Sequence, residues 1–177
     1  MNRQVLSDTT YAKTDVVILA GGQARRMNGI NKLLQKFDNK IQLIKIHQHF
    51  KSRANQVWVN SHRDHFIYEQ IIPSIQFFPD DEVGFQGPLM GMKSAWSRVQ
   101  SDYVLFVPCD VTYIPKKVIS CLHQAIQRNP LCEVAVVEVN GKALYPFCLL
   151  KRSSLVTIEK HLECNQRSLK HCFAEMH

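Results

Sequence analysis

The sequence predicts an α/β fold of three layers, in which helices cover both faces of a mostly parallel sheet with one antiparallel strand. Two observations support this prediction. Uninterrupted apolar runs at residues 16–19 and 103–107 are typical of strands that are buried on both faces. Such runs alternate with segments of helical periodicity, which favours parallel strands joined by right-handed crossovers. The 177 residues suit one domain with a single core, which we expect to span residues 15–177.

Each predicted element has its own signal in the sequence. The expected strands cover residues 16–19, 56–60, 75–78, 103–107, 133–139 and 143–150. The expected helices cover residues 41–50, 64–69, 88–99 and 115–128, with a last helical stretch from Ser153 onward. Pro88 and Pro115 suit the first turns of their helices. Asn140-Gly141 predicts a turn, after which the chain returns antiparallel. Residues 1–14 are polar and lack the apolar segment of a signal peptide, so we expect a disordered lead.

Composition limits the classes of function. With 45% hydrophobic and 21% charged residues, and no apolar run near the ~20 residues of a membrane helix, we expect a globular protein without a membrane partner. The net charge of +7 favours an anionic partner. No groove-reading motif or aromatic-interleaved basic patch is present, so we do not expect nucleic acid. The six cysteines form no Cys-x-x-Cys pair, which favours reduced thiols in the cytoplasm.

One stretch combines a buried strand, a glycine turn and clustered cations. The first predicted strand runs into Gly21-Gly22, and Arg25, Arg26 and Lys32 follow shortly after. Backbone N–H groups of such a turn can hold phosphate oxygens while the cations neutralise their charge. The alternative is a strand followed by a solvated basic loop. Neither the P-loop motif nor the Gly-x-Gly-x-x-Gly dinucleotide motif occurs here.

Polar residues follow four of the predicted strands. They are Gly21-Gly22, Asn60, Asp80 and Asp110. Because the carboxyl ends of parallel strands meet at one edge of an open sheet, we expect these groups to surround a ligand there. Asp110 is suited to bind Mg²⁺, and an aspartate that only caps a helix or forms a turn is an equally good interpretation. Asp80 can accept hydrogen bonds from guanine or from a ribose hydroxyl, and Asn60 can donate and accept at a base edge.

The same stretch resembles a known family of nucleotidyltransferases. Its residues Leu19-Ala20-Gly21-Gly22, Arg26-Met27 and Lys32-Leu33 match the signature Leu-Ala-Gly-Gly-x-x-x-Arg-Met, followed shortly by Lys. In particular, the stretch resembles the molybdenum cofactor guanylyltransferase family. Phe-Val-Pro-Cys-Asp, which ends at Asp110, is similar to the metal-binding segment of that family, and Gly87-Pro88-Leu89 resembles its Gly-Pro-Leu-x-Gly-Met segment. The resemblance covers about residues 15–150.

The resemblance implies a Rossmann-like nucleotidyltransferase fold and the transfer of GMP from GTP to molybdopterin (Mo-molybdopterin), with release of pyrophosphate. It implies a GTP site formed by Leu19, Ala20, Gly21, Gly22, Lys32, Asn60, Asp80 and Asp110, with Mg²⁺ on Asp110. Arg26 and Lys32 are the implied catalytic cations, because phosphoryl-type transfer depends on positioning and electrostatics. We expect Arg25 to face solvent. Asp81 and Glu82 are adjacent alternatives to Asp80.

The sequence also departs from the family in three places. Asn31 and Asn28 stand where family members usually carry Asp and Gly, and the family's C-terminal Asn-x-Asn-Thr-Pro segment, which helps to hold the second substrate, does not occur. We therefore expect an intact nucleotide half of the site and leave the molybdopterin half open. The alternatives are a related cytidylyltransferase or sugar-phosphate nucleotidyltransferase, or a paralogue that binds nucleotide without turnover as the partner of a cofactor-assembly complex. Cofactor-biosynthesis proteins or an acceptor enzyme are the candidate partner proteins of the chain itself.

Overall fold

A six-stranded sheet forms the centre of the computed structural model, which describes residues 11–21, 31–84 and 87–176. The strands are β1 (Thr14–Leu19), β2 (Lys36–Phe37), β3 (Lys40–Ile41), β4 (Val57–Asn60), β5 (Gln76–Phe78), β6 (Tyr103–Pro108), β7 (Val134–Val139) and β8 (Lys142–Lys151). The helices are α1 (Gln42–Phe50), α2 (His65–Ile71), α3 (Pro88–Trp96), α4 (Val118–Arg128), α5 (Leu155–Glu163) and α6 (Leu169–Ala174). No helix within these ranges is long and apolar enough to span a bilayer.

The strand order in the large sheet is β5-β4-β1-β6-β8-β7. The first four strands of this order are parallel, whereas β8 runs antiparallel to both of its neighbours, β6 and β7. The prediction of a mostly parallel sheet with one antiparallel strand is therefore confirmed. The turn at Asn140-Gly141 is also confirmed, with φ values of 52° and 75° that these residue types adopt readily.

The two faces of the sheet bury separate sets of side chains. Successive residues of β1 point to opposite faces, as in any strand. Val16 and Ile18 pack in the cluster that includes residues of α1, α2 and α4. Val17 and Leu19 pack in the cluster that includes residues of α3, α5 and α6. These two clusters give the three layers that the sequence predicts, and they fix the carboxyl end of β1 between helices on both sides.

Several boundaries differ from the prediction. β1 begins at Thr14, and Tyr11 stacks on His123 with ring centroids 5.3 Å apart, so ordered packing begins before residue 15. The short β2–β3 hairpin was not predicted, because its turn at Asp38-Asn39 lies between strands of only two residues. The expected last helical stretch is divided into α5 and α6. Helix α3 ends at Trp96 rather than at residue 99, and α4 begins at Val118, three residues after Pro115. None of the six cysteines, all of which lie within the described ranges, forms a disulfide.

Candidate active site

A cavity of about 420 Å³ opens at the carboxyl edge of the parallel strands. It is lined by Leu19, Gly21, Asn60, Asp80, Gly87, Pro88, Pro108, Cys109, Asp110 and Pro146. The structure thus brings together five of the residues that the sequence assigned to one ligand. Ala20 lies beside them, and its N–H donates to the carbonyl of Asn60 at 2.9 Å. Gly22, Arg25 and Arg26 lie outside the described residues.

Lys32 reaches this edge of the sheet by pairing with Asp110. Its Nζ lies 2.7 Å from Asp110 Oδ2, and the hydrogen bond raises the pKa of Lys32, so the ammonium stays charged at neutral pH. The two side chains are 34% and 54% exposed, so an entering ligand can reach both charges. A cation and a carboxylate that face each other in this way can separate to bind a phosphate and a metal ion.

Gln42 holds the loop that carries Asp110. Its side chain is 1% exposed, and its Nε2 donates to the carbonyls of Cys109 at 3.2 Å and Val111 at 2.6 Å, on either side of Asp110. The backbone N–H of Gln42 donates to the carbonyl of Gln35, which follows the 3-10 turn Lys32–Leu34. The first residue of α1 therefore connects the segment of Lys32 with the loop of Asp110. This role of Gln42 was not predicted from the sequence, because helical periodicity depends only on the spacing of apolar residues.

Asp80 lies across β1 from Asp110 and is held by two side chains. Its Oδ1 accepts from Asn60 Nδ2 at 2.8 Å, and its Oδ2 lies 3.0 Å from His62 Nε2. The Asp80 side chain is 5% exposed and Asn60 is 2% exposed, so both have fixed positions. Each carboxylate oxygen has a second acceptor site, so Asp80 can still accept hydrogen bonds from a ligand. His62 was not among the predicted residues, because a histidine in a polar loop has no distinctive spacing.

The two acidic neighbours of Asp80 make other contacts. Asp81 accepts hydrogen bonds from Ser97 and Arg98, each at 3.3 Å, and its N–H donates to Ser94. Glu82 pairs with Lys93 at 3.0 Å. Within the described ranges, Asp80 is the one of these three carboxylates that lines the cavity.

Two glycines allow Asn60 to take up its position. A Cβ on Gly91 of α3 would lie 2.4 Å from Asn60 Oδ1 and 3.1 Å from Leu19 Cδ2, and one on Gly21 would lie 3.2 Å from the same oxygen. Such distances leave no room for a side chain at Gly91, so the helix approaches β1 and β4 closely only because this residue is glycine. A glycine inside an apolar helix is a sequence signal for such an approach.

Cys109 does not supply a nucleophile at this edge. Burial raises the pKa of its thiol to about 11, so the thiolate is scarce at neutral pH. Among the residues that the structure describes, no group of three or more His, Cys, Asp or Glu side chains could enclose a metal ion. Of the two described carboxylates that line the cavity, Asp80 is 5% exposed and Asp110 is 54% exposed, so Asp110 is the one that is open to a cation.

The fold and the site define a nucleotide-binding α/β domain, because a cavity with a few fixed polar side chains at the carboxyl edge of a parallel sheet is where such domains hold their ligands. The family described as MobA-like NTP transferase domain matches residues 16–176. The chain is 61% identical over 167 residues to a molybdenum cofactor guanylyltransferase of Acinetobacter baumannii, with 94% of the chain and 80% of the relative covered. The chain therefore belongs to the molybdenum cofactor guanylyltransferase family and is a nucleotidyltransferase.

Two further comparisons agree with this assignment. The molybdenum cofactor guanylyltransferase of Pasteurella multocida is 36% identical over 162 residues, which cover 91% of the chain and 84% of the relative. The crystal structure of molybdopterin-guanine dinucleotide biosynthesis protein A from Archaeoglobus fulgidus superimposes with a TM-score of 0.71 at 16% identity, over 92% of the chain and 80% of that protein. The latter similarity supports the fold alone.

Proposed function

We propose that the chain transfers GMP from GTP to molybdopterin (Mo-molybdopterin) and releases pyrophosphate. The single observation that carries this proposal is the arrangement of two pairs around one cavity. The Lys32–Asp110 pair offers charges for a triphosphate and its metal, and the Asn60–Asp80 pair offers a fixed carboxylate for a base or ribose. The name of the Acinetobacter baumannii relative, at 61% identity, supports GTP and the molybdenum cofactor as the substrates.

The nucleotide is proposed to lie along the edge of the sheet. Guanine or its ribose would contact Asp80 and Asn60, the glycine turn after β1 would hold phosphate oxygens through backbone N–H groups, and Lys32 would contact the terminal phosphates. In this arrangement Leu19, Ala20 and Gly21 would form the floor beneath the nucleotide, and the role of Gly22, which lies outside the described residues, stays a prediction. Along the edge, Asp80, Asn60, Gly21 and Asp110 follow one another in the strand order β5-β4-β1-β6, because each of them lies at or just after the end of one of these strands.

The chemical step proposed is an in-line displacement at the α-phosphorus of GTP. An oxygen of the acceptor's terminal phosphate forms the new bond to phosphorus, and the bond to the oxygen that bridges to the β-phosphate breaks. The electron pair leaves with pyrophosphate, whose charge Lys32 and Arg26 would neutralise. The acceptor phosphate is already anionic, so no strong base is required. The high pKa of Cys109 agrees with a mechanism without a protein nucleophile.

Asp110 is the proposed ligand of Mg²⁺. One carboxylate suits this ion, which usually takes one or two carboxylates together with substrate phosphates and water. When bound, Mg²⁺ would neutralise charge on the phosphate oxygens. We expect the reaction in the cytoplasm, because none of the six described cysteines forms a disulfide. Partner proteins of cofactor biosynthesis, or an acceptor enzyme, stay a prediction.

A nucleotide panel tests the proposed function. Thermal unfolding is measured with GTP, ATP, CTP and UTP in the presence of Mg²⁺. GTP at ~100 times its dissociation constant should add roughly 2.7 kcal/mol to the free energy of unfolding, and the other nucleotides should add less. Transfer of label from α-labelled GTP to molybdopterin then tests turnover. A larger shift with CTP would favour a cytidylyltransferase, and GTP binding without transfer would favour a paralogue that only binds.

A further inference from the structure

We propose that Asn31 is a positioning residue that directs Lys32 to the triphosphate, and that it acts through a matched amide–carboxylate pair with Asp64. The inference rests on the proposed function, because it concerns the lysine that would contact the terminal phosphates. Asn31 is also one of the three places where the sequence departs from its family. The contacts of Asn31 show how a neutral side chain can stabilise the Lys32 turn at a position where family members usually carry aspartate.

Every polar atom of the Asn31 side chain is engaged. Its Oδ1 accepts from the N–H of Leu33 at 3.0 Å and so caps the turn that begins at Lys32. Its Nδ2 donates to Asp64 Oδ2 at 2.5 Å and to the hydroxyl of Tyr68 at 2.7 Å. Because a backbone N–H can only donate, the contact with Leu33 fixes which end of the amide is oxygen. The donor end therefore faces Asp64.

These contacts attach the Lys32 turn to the base side of the cavity. Tyr68 is fully buried, and its hydroxyl lies 3.4 Å from Ser61 Oγ. Burial raises the pKa of Tyr68, so the phenol stays neutral and can accept from Asn31. Ser61 directly follows Asn60, which holds Asp80. The network thus connects the residue before Lys32 with the residue after Asn60.

The charge of the pair allows only one acid. Asp64 has φ 61°, a conformation that asparagine and aspartate adopt at low cost, and its side chain does not cap α2. With aspartate at position 31, two carboxylate oxygens would meet at the distance now taken by the hydrogen bond. Arg63 Nε lies 3.8 Å from Asp64 Oδ2, beyond hydrogen-bond distance and on a partly exposed side chain, so it offsets the second negative charge only in part, and the two carboxylates must share a proton or move apart. If they move apart, the turn carries Lys32 away from its position. One amide and one carboxylate, in either order, satisfy the same contact.

A charge-swap experiment tests this inference. GTP and GMP affinities are measured by calorimetry for the parent, Asn31→Asp, Asp64→Asn and the double variant. We expect Asn31→Asp to weaken GTP about tenfold while GMP changes less than about twofold, because Lys32 would contact the β- and γ-phosphates. The double variant should return to within about threefold of the parent, since residues in direct contact show strong non-additivity. Asp102→Asn is the control for Asp64→Asn. It removes one negative charge at the amino end of β6, and it should bind GTP and GMP as the parent does.

The other outcomes have distinct meanings. Asn31→Asp binding GTP like the parent, or losses that add in the double variant, would overturn the inference. An equal loss of GTP and GMP together with a lower Tm would also overturn it, because the role would then be structural only. A parent that binds neither nucleotide would refute the proposed function instead. In that case the four Tm values still test the pairing, and additive changes in Tm overturn it.

Discussion

Lys32 is the residue whose single substitution best separates phosphate binding from base binding. We expect Lys32→Ala to weaken GTP and GDP more than GMP, because the ammonium would act on the β- and γ-phosphates. Loss of a group that stabilises developing charge typically costs on the order of 3 kcal/mol in the activation barrier. Isothermal titration with the three nucleotides and single-turnover transfer rates measure the two effects. Arg26→Ala should act in the same direction, and Arg25→Ala should change little.

Lys45 offers a matched control for this substitution. It pairs with Asp38 at 2.8 Å, much as Lys32 pairs with Asp110, but Asp38 does not line the cavity, whereas Asp110 does. Lys45→Ala should therefore bind all three nucleotides as the parent does. If Lys32→Ala also binds them unchanged, the glycine turn does not bring phosphate to this lysine, and the proposed phosphate site is wrong.

At the scale of elements, Gln42 tests whether the start of α1 holds the loop after β6. Gln42→Met keeps the length of the side chain but removes both donors to the carbonyls of Cys109 and Val111. Leaving such carbonyls without donors costs up to about 1–3 kcal/mol of stability, and these two are part-buried. We expect that loss in chemical denaturation, together with weaker Mg²⁺-dependent GTP binding, because Asp110 lies between the two carbonyls.

The comparison with Gln56 makes this prediction specific. Gln56 also donates to a carbonyl, that of Val57 at 3.3 Å, but it is only half-buried and lies at the other end of β4, away from Asp110. Gln56→Met should change neither stability nor GTP binding appreciably. If Gln42→Met lowers stability and leaves Mg²⁺-dependent binding intact, α1 stabilises the fold without orienting Asp110.

The elements that the sequence predicted well are those with strong apolar patterns. The runs at 16–19 and 103–107 became β1 and β6 at the centre of the sheet, because full burial requires an unbroken apolar segment. The β2–β3 hairpin and the insertion of β8 between β6 and β7 left no such pattern. Both depend on which strands lie side by side, and that is decided by tertiary packing rather than by local periodicity.

The site shows the same division between local and tertiary information. Asn60, Asp80 and Asp110 were predictable because polar residues after parallel strands share an edge. His62 and Gln42 act on those residues through contacts 18 and 67 positions apart in sequence, which no spacing pattern reports. Gly91 lay within a motif that was recognised in the sequence. The reason why this position requires glycine is shown only by the structure, in which Asn60 Oδ1 occupies the space that a side chain would need.

At the scale of the whole molecule, we expect His123 to make the global stability depend on pH. It is buried beside Tyr11 and Tyr103, and burial lowers its pKa to about 4. The hydroxyl of Thr14 donates to the carbonyl of Ala12 and lies 2.7 Å from His123 Nε2, which fits a neutral ring that donates through Nε2. The unfolded chain binds a proton near pH 6.5, before the folded chain does. Stability should therefore be full above pH 6.5 and fall between pH 6.5 and 4, by up to about 3 kcal/mol.

His123→Gln isolates this contribution, because glutamine keeps a donor without titrating. The free energy of unfolding is measured from pH 7.5 to 4 for the parent, for this variant and for His171→Gln on an exposed face of α6. We expect a shallower decrease for His123→Gln and a parental profile for His171→Gln. Identical profiles for all three would place the acid sensitivity in other groups.

The Lys32–Asp110 ion pair has a consequence for how the two ligands influence each other. Each charge is the counter-ion of the other at 2.7 Å, so a phosphate that takes the lysine leaves the carboxylate without compensation, and a metal ion that takes the carboxylate does the same to the lysine. When the phosphate and the metal ion are bound together, each of the two side chains again has a counter-ion. GTP and Mg²⁺ should therefore show positive thermodynamic coupling, each raising the affinity of the other by the same factor, typically about 5–150-fold. Asp110→Asn should abolish this coupling factor, and the variant should bind GTP without Mg²⁺ at least as well as the parent does. Titrations of GTP with and without Mg²⁺ measure both effects. An unchanged coupling factor would mean that the ion pair is a surface contact without influence on ligand binding.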